Sequence, residues 1–301
     1  MQAEPLVVDF RPPTLGGPSA FMPLHGITTN AATSFTIAIE NIRRNIKLGL
    51  PRLESLTEFM KVKGRDTPIA LVGGGPSVKT QIEEIKKFKT IISCGSANDW
   101  CMKNAIHPTY SAICDPDPIS INYFQHLNTE TKYLLASSVD EKIIKHFSDK
   151  QLQLILWHCH SEEYTKCDPP IESNYQAIGG GCTVGLRSLS IAIMMGYQNI
   201  HFFGFDSCLE QSNHHVYEFS DTTQEQLGQI FNIQIGGPDG PEDIKTYQAE
   251  GYQLAQVDNF KQYYKEHGHF FEPTFHGEGL LPDFWKLMQR MMALEHQKGL
   301  N

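Results

Sequence analysis

Three glycines followed by proline and serine, Gly73-Gly-Gly-Pro-Ser77, could present main-chain N–H groups to an anion, because glycine tolerates positive φ and lets a backbone approach a ligand closely. Gly73, Gly74, Gly75 and Pro76 would form the cradle. Ser77 would cap the following helix or hydrogen-bond the same anion. The run lacks the third glycine of a dinucleotide fingerprint and the Gly-Lys-Ser/Thr of a Walker A loop, and it reads equally as a tight strand-to-helix turn. Cys94, Gly95 and Ser96, with Asn98 or Asp99 as a helix cap, could admit a base or sugar or form a plain turn. Asp115-Pro-Asp117 offers two hard carboxylates suited to a divalent metal such as Mg²⁺ or to a ribose hydroxyl. Asp115 and Asp117 are therefore the metal candidates and Asp115 a catalytic one. The alternative is an Asp-turn stiffened by Pro116, ending in a helix cap.

A second glycine-rich helix start, Gly179-Gly-Gly-Cys-Thr-Val-Gly185, could bracket a nucleotide with the first, Gly180 and Gly181 lining it and Thr183 capping the helix. Arg187 is the only charge in that apolar helix, and could reach a phosphate or snorkel along the surface. Gly204-Phe-Asp206 places Asp206 to touch a ligand. In Asn213-His-His-Val-Tyr217, His214 or His215 could be a general base or a solvent-exposed side chain, since imidazole titrates near neutrality. His158 and His160 share a strand face near Cys167, but zinc wants four ligands and no second pair stands close in sequence.

These turns follow short apolar runs that read as strands covered on both faces: 68–72, 90–94, 110–114, 133–136, 153–157 and 200–203. Helical patterns lie between them at 79–88, 99–104, 140–147 and 184–195. The alternation predicts an α/β fold, a parallel sheet with helices on both faces, in which ligands bind beyond the carboxyl ends of the strands. Residues 1–66 read as a proline-rich arm and a helical lead-in starting at Phe35, interrupted at Pro51. Residues 67–210 read as the core. Residues 211–301 read as an irregular C-terminal segment packed on it, with a strand at 231–235, an extended stretch at 269–271, and helices at 252–266 and 282–295.

The 301 residues are 40% hydrophobic and 20% charged, an ordinary globular balance that excludes a largely disordered chain. Lys+Arg 25 against Asp+Glu 34 gives a net charge of −9, which argues against a general nucleic-acid or anionic-membrane surface. Seven cysteines in mostly apolar runs fit a reducing compartment, the start lacks a signal-peptide pattern and no run is long enough to span a bilayer, so a cytoplasmic protein is expected. Oligomeric state is open.

The ordered set Leu71-Val-Gly-Gly-Gly-Pro-Ser77, Cys94-Gly-Ser-Ala, His107-Pro, Asp115, Gly179-Gly-Gly-Cys-Thr-Val-Gly185 and Gly196 to Asp206 resembles the 6-hydroxymethylpterin diphosphokinase MptE-like domain, across about residues 35–280. That domain is shared with the motility-associated-factor glycosyltransferases and, more distantly, is similar to bacterial sialyltransferases that use a CMP-sugar. The resemblance implies a Rossmann-like, doubly wound fold and a nucleotide-dependent transferase. In the diphosphokinase branch it implies diphosphoryl transfer from ATP to a hydroxymethyl acceptor, with Mg²⁺. The alternative it implies is transfer from a CMP-activated nonulosonate to a small-molecule or glycan acceptor; a non-catalytic nucleotide-binding module is a further alternative. Gly74, Gly75, Pro76 and Ser77 would hold donor phosphates, Asp115 and Asp117 would lie by metal or ribose, Gly180, Gly181 and Thr183 would line the nucleotide cleft, and Asp206 would close the site. His214 or His215 would be the nearest match to a sialyltransferase acceptor base.

Overall fold

The computed structural model describes residues 7–9, 35–56, 59, 66–160, 176–210, 230–240 and 242–299. After the short strand β1 (Val7–Asp9), helix α1 (Phe35–Ile46) docks on the core through buried amides. Asn41 Nδ2 donates to Ser138 O at 3.0 Å, and Asn45 Nδ2 to Ser137 O and Val139 O at 3.0 and 2.7 Å.

The apolar runs form strands β2 (Ile69–Val72), β3 (Ile91–Cys94), β4 (Tyr110–Ile113), β5 (Lys132–Ala136) and β6 (Gln153–Cys159), buried nearly throughout. Between them lie α2 (Ile82–Ile85), α3 (Ala97–Lys103) and α4 (Glu141–Ser148). Strand β7 (Ala177–Ile178), helix α5 (Val184–Met194) and strand β8 (Asn199–Phe203) follow. The last third holds β9 (Ile230–Gly236), β10 (Ile244–Glu250), α6 (Gly251–His267), β11 (Glu272–His276) and α7 (Leu280–Gly299).

Eight strands make one sheet in the order β11-β8-β2-β3-β4-β5-β6-β7, every pairing parallel. Alternation along β2 shows why both faces are covered. Ala70 and Val72 pack with Ile85, Ala97 and Trp100, whereas Ile69 and Leu71 pack in the cluster that holds Leu186 and Leu189 of α5. The chain winds outward from β2 to β7, then returns to lay β8 against the other edge of β2. That reversal opens a crevice at the carboxyl ends of β2 and β8. The fold is the doubly wound, Rossmann-like α/β architecture expected.

Several local expectations are corrected. The helix foreseen at 79–88 is a 3₁₀ turn, Pro76–Thr80, followed by the single-turn α2. After Pro51 the chain begins with a 3₁₀ turn, Leu53–Ser55, and Phe59 is helical; most of the rest of that expected helix lies outside the described residues. The extended stretch foreseen at 269–271 is mostly a 3₁₀ turn, Gly268–Phe270, and the strand follows it as β11, which pairs with β8 and completes the core sheet. A second sheet, ordered β1-β9-β10, joins β1 in parallel to β9 and β10 antiparallel to it. Among the described residues no helix is long and apolar enough to cross a membrane.

Candidate functional site

At the crevice the first glycine loop spends its amides on protein. Gly73 N donates to Phe203 O at 2.7 Å and Gly75 N to Gly204 O at 2.8 Å, extending the β2–β8 ladder past the strand ends. The two loops touch backbone to backbone. A Cβ on Gly73 would stand 2.5 Å from Gly204 O. Neither Gly73 nor Gly75 has a positive φ, that of Gly75 being −67°. These glycines are therefore required by chain crossing, which corrects the positive-φ expectation. Among the described residues the amide of Gly74 has no partner.

Asp206 fills the position where an anion was expected. Its carboxylate accepts the Ser77 amide at 2.8 Å and the Ser77 hydroxyl at 2.5 Å. A Cβ on Gly75 would lie 2.7 Å from the Asp206 Cγ. Ser77 lies inside the 3₁₀ turn and so does not cap a helix with its side chain. Asp206 is only 4% exposed, and burial pushes its carboxyl up to about 6 against the opposing pull of the Ser77 bonds. Burial likewise pushes the Cys94 thiol up to about 12, which keeps it neutral and poorly nucleophilic at pH 7.

Around these loops lies a cleft of about 170 Å³. Of the candidate residues, Gly73, Gly74, Gly75, Cys94, Ser96, Thr183 and Asp206 line it. Thr183 caps α5 as expected, its hydroxyl accepting Leu186 N at 3.3 Å. This turns the amino end of an eleven-residue helix towards the cleft, a favourable position for an anion.

The other candidates sit outside the lining. Ser77 holds Asp206, and Pro76 opens the 3₁₀ turn. Gly95 turns after β3 and donates to Ala112 O. Gly180 packs against Leu186 O of α5, and Gly181 against Asn259 of α6. Asp115 accepts the Asp117 amide at 2.9 Å, and Asp117 accepts the Ile119 amide at 2.9 Å, so the pair builds an Asp-turn and a 3₁₀ cap. Loss of surrounding water raises the Asp115 carboxyl above its ordinary value, with Asp117's charge adding. Asn98 and Asp99 lie within α3 and bind the chain at 125–126. Arg187 takes neither expected role, its guanidinium donating to Ile178 O. His158 is buried on Ser137 Oγ at 2.7 Å, and burial pushes it down to about 4. His214, His215 and Cys167 lie outside the described residues.

Sequence reasoning missed the opposite wall, which Tyr252, Gln253 and Gln256 of α6 supply with Ser207 and Cys208. One signal was present: Glu250 and Gln253 form a capping box that fixes the start of α6 at the cleft. Gln253 Nε2 then reaches Cys208 O at 3.1 Å, tying that wall to the β8 loop.

Residues 38–212 match the family described as 6-hydroxymethylpterin diphosphokinase MptE-like. Among solved structures, a MAf glycosyltransferase from Magnetospirillum magneticum AMB-1 is similar at 17% identity and a TM-score of 0.52, covering 87% of this chain and 45% of that one. The chain thus spans less than half of that neighbour's length, and the likeness is one of fold. A mammalian sialyltransferase covers 86% of this chain and 92% of its own at 12% identity, with a TM-score of 0.39, too low to carry weight. No curated protein matches. The family match runs over more than half the chain, from the lead-in helix to residues that follow β8, and the protein accordingly belongs to the MptE-like family.

Proposed function

We propose that the protein is a nucleotide-dependent group transferase whose donor occupies the β2–β8 crevice, and that the transferred group is a diphosphoryl passed from ATP to a hydroxymethyl acceptor. The MptE-like family match carries this reading, because its residues include both loops that meet at the crevice. Phosphoryl transfer is mostly positioning and charge neutralisation. The Gly74 amide and the amino end of α5 would receive phosphate oxygens. Asp115 and Asp117 would hold Mg²⁺. Their hard oxygens, held in one turn where Asp115 accepts the Asp117 amide, fit a cation that takes one or two carboxylates and completes its shell with water and substrate phosphates. Mg²⁺ would supply neutralisation of the charge on the transferring phosphates.

One observation favours a second reading, transfer from a CMP-activated nonulosonate. Among the described residues the cleft lining contains no lysine or arginine, and Asp206 is the only acidic one, a setting milder for one phosphate than for three. A thermal-shift panel of ATP, GTP, CTP, CMP and UDP-sugars, with and without Mg²⁺, separates the cases. An Mg²⁺-dependent ATP response with AMP release supports diphosphoryl transfer, and a response confined to CMP or CTP supports glycosyl transfer. Nucleotide binding without turnover would identify a binding module, and no response to any nucleotide would refute the proposal.

A further inference from the structure

We propose that Asp206 is the catalytic base that takes the proton from the acceptor's hydroxyl, and that Ser207 beside it hydrogen-bonds that hydroxyl. The inference rests on the group-transfer reading and names the acceptor end of the same cleft.

Both residues line the cleft, and they are 4% and 7% exposed. Ser207 Oγ is buried and has no hydrogen-bond partner, although buried hydroxyls are ordinarily paired. A turn of its side chain into the cleft would pair the hydroxyl with a ligand group there. Ser207 also sits at φ 52, a left-handed conformation that is uncommon outside glycine and clusters at functional sites. Asp206 is clamped from behind by the Ser77 amide and hydroxyl, with Gly75 and Gly279 packed against it. The clamp fixes the orientation of a base, and a carboxyl held near 6 is ionised at pH 7 yet takes a proton more readily than an ordinary aspartate. Of the titratable groups around it, Glu210 and Cys208 lie on its own loop, Asp283 of α7 acts on Cys208, and the β2 loop contributes the uncharged Ser77.

In the step, the acceptor O–H loses its proton to the Asp206 carboxylate. The acceptor oxygen bonds to the donor's phosphorus, or to its anomeric carbon in glycosyl transfer. The bond from that atom to the departing nucleotide's phosphate oxygen breaks, and the electron pair leaves with the nucleotide. The acceptor proton thereby falls to Asp206, away from His214 and His215.

The test uses the full chain with ATP–Mg²⁺ or CMP-N-acetylneuraminate as donor, and 6-hydroxymethyl-7,8-dihydropterin or water as acceptor. Asp206→Asn should keep the wild-type nucleotide-induced thermal shift and lose about 10²–10⁴-fold in turnover. Ser207→Gly, which relieves the left-handed backbone, should stay folded and raise the acceptor KM about tenfold. Ser77→Ala should move the acidic limb of the kcat/KM profile to higher pH, because it removes a bond that favours the charged carboxylate. Asp206→Asn with turnover within tenfold of wild type, or with the nucleotide shift lost as well, would overturn the inference alone. A wild-type nucleotide response without donor cleavage would overturn it too. If the wild type responds to no nucleotide, the group-transfer reading fails and takes this inference with it.

Discussion

A carboxylate buried against a serine and two glycines is an expensive thing to fold around. Because Asp206 is raised to about 6 in the folded chain, its ionisation favours the unfolded state. Its penalty is absent below the ordinary aspartate pKa, grows as pH rises through 6, and is complete above it, on the order of 3 kcal/mol. Asp206→Asn should therefore be more stable than wild type at pH 8 by up to that amount, and the advantage should vanish towards pH 4 in urea titrations. A difference independent of pH would contradict the assignment. Gly75→Ala should cost about 1–3 kcal/mol, since its Cβ has no space beside Asp206 and Gly204 O, whereas Gly179→Ala, with nothing within 4 Å, should be near neutral. Chemical denaturation of the pair distinguishes packing from a generic loss of glycine. At this scale the sequence shows which residues stand at strand ends, but not what they touch. The partner of Ser77 lies 129 residues away, so the sequence does not show that the amides of Gly73, Gly75 and Ser77 are taken by β8 and its loop and only that of Gly74 is left over.

Secondary-structure elements were the most legible level. Strands β2 to β6 and β8 announce themselves as short runs buried on both sides, a signal that needs no knowledge of neighbours. Strand β10 carries no such signal because its first five residues are exposed or only partly covered, so its place depends on pairing with β9. Helix α2 was overestimated, since Pro76 and the tight 3₁₀ turn consume the residues that would have formed its first turns. The Thr183 cap was readable because capping is local, and it yields a local prediction. Thr183→Ala should lower stability by about 1 kcal/mol, while Thr183→Ser should restore most of it, both measured by thermal unfolding without ligand.

At the scale of the whole molecule, the eight-stranded sheet is built from two distant parts of the chain, and the small second sheet ties the amino end to residues 230–250. Strand β1 pairs Val7–Asp9 with Asn232–Gln234 and covers one edge of β9. Deleting residues 1–10 should speed amide hydrogen exchange along β9 while leaving β2 to β6 protected; equal exchange in both chains would refute the pairing. The pairing of β1 with β9 is not legible in the sequence, because a three-residue strand has no periodicity to detect.

The insertion of β8 beside β2 also bears on biosynthesis. During translation β2, β3 and β4 emerge long before residues 199–203, and one edge of β2 stays bare until β8 has left the ribosome. Any nascent chain stalled short of that point carries an unsealed apolar ribbon and no crevice, the kind of exposed strand edge that invites aggregation.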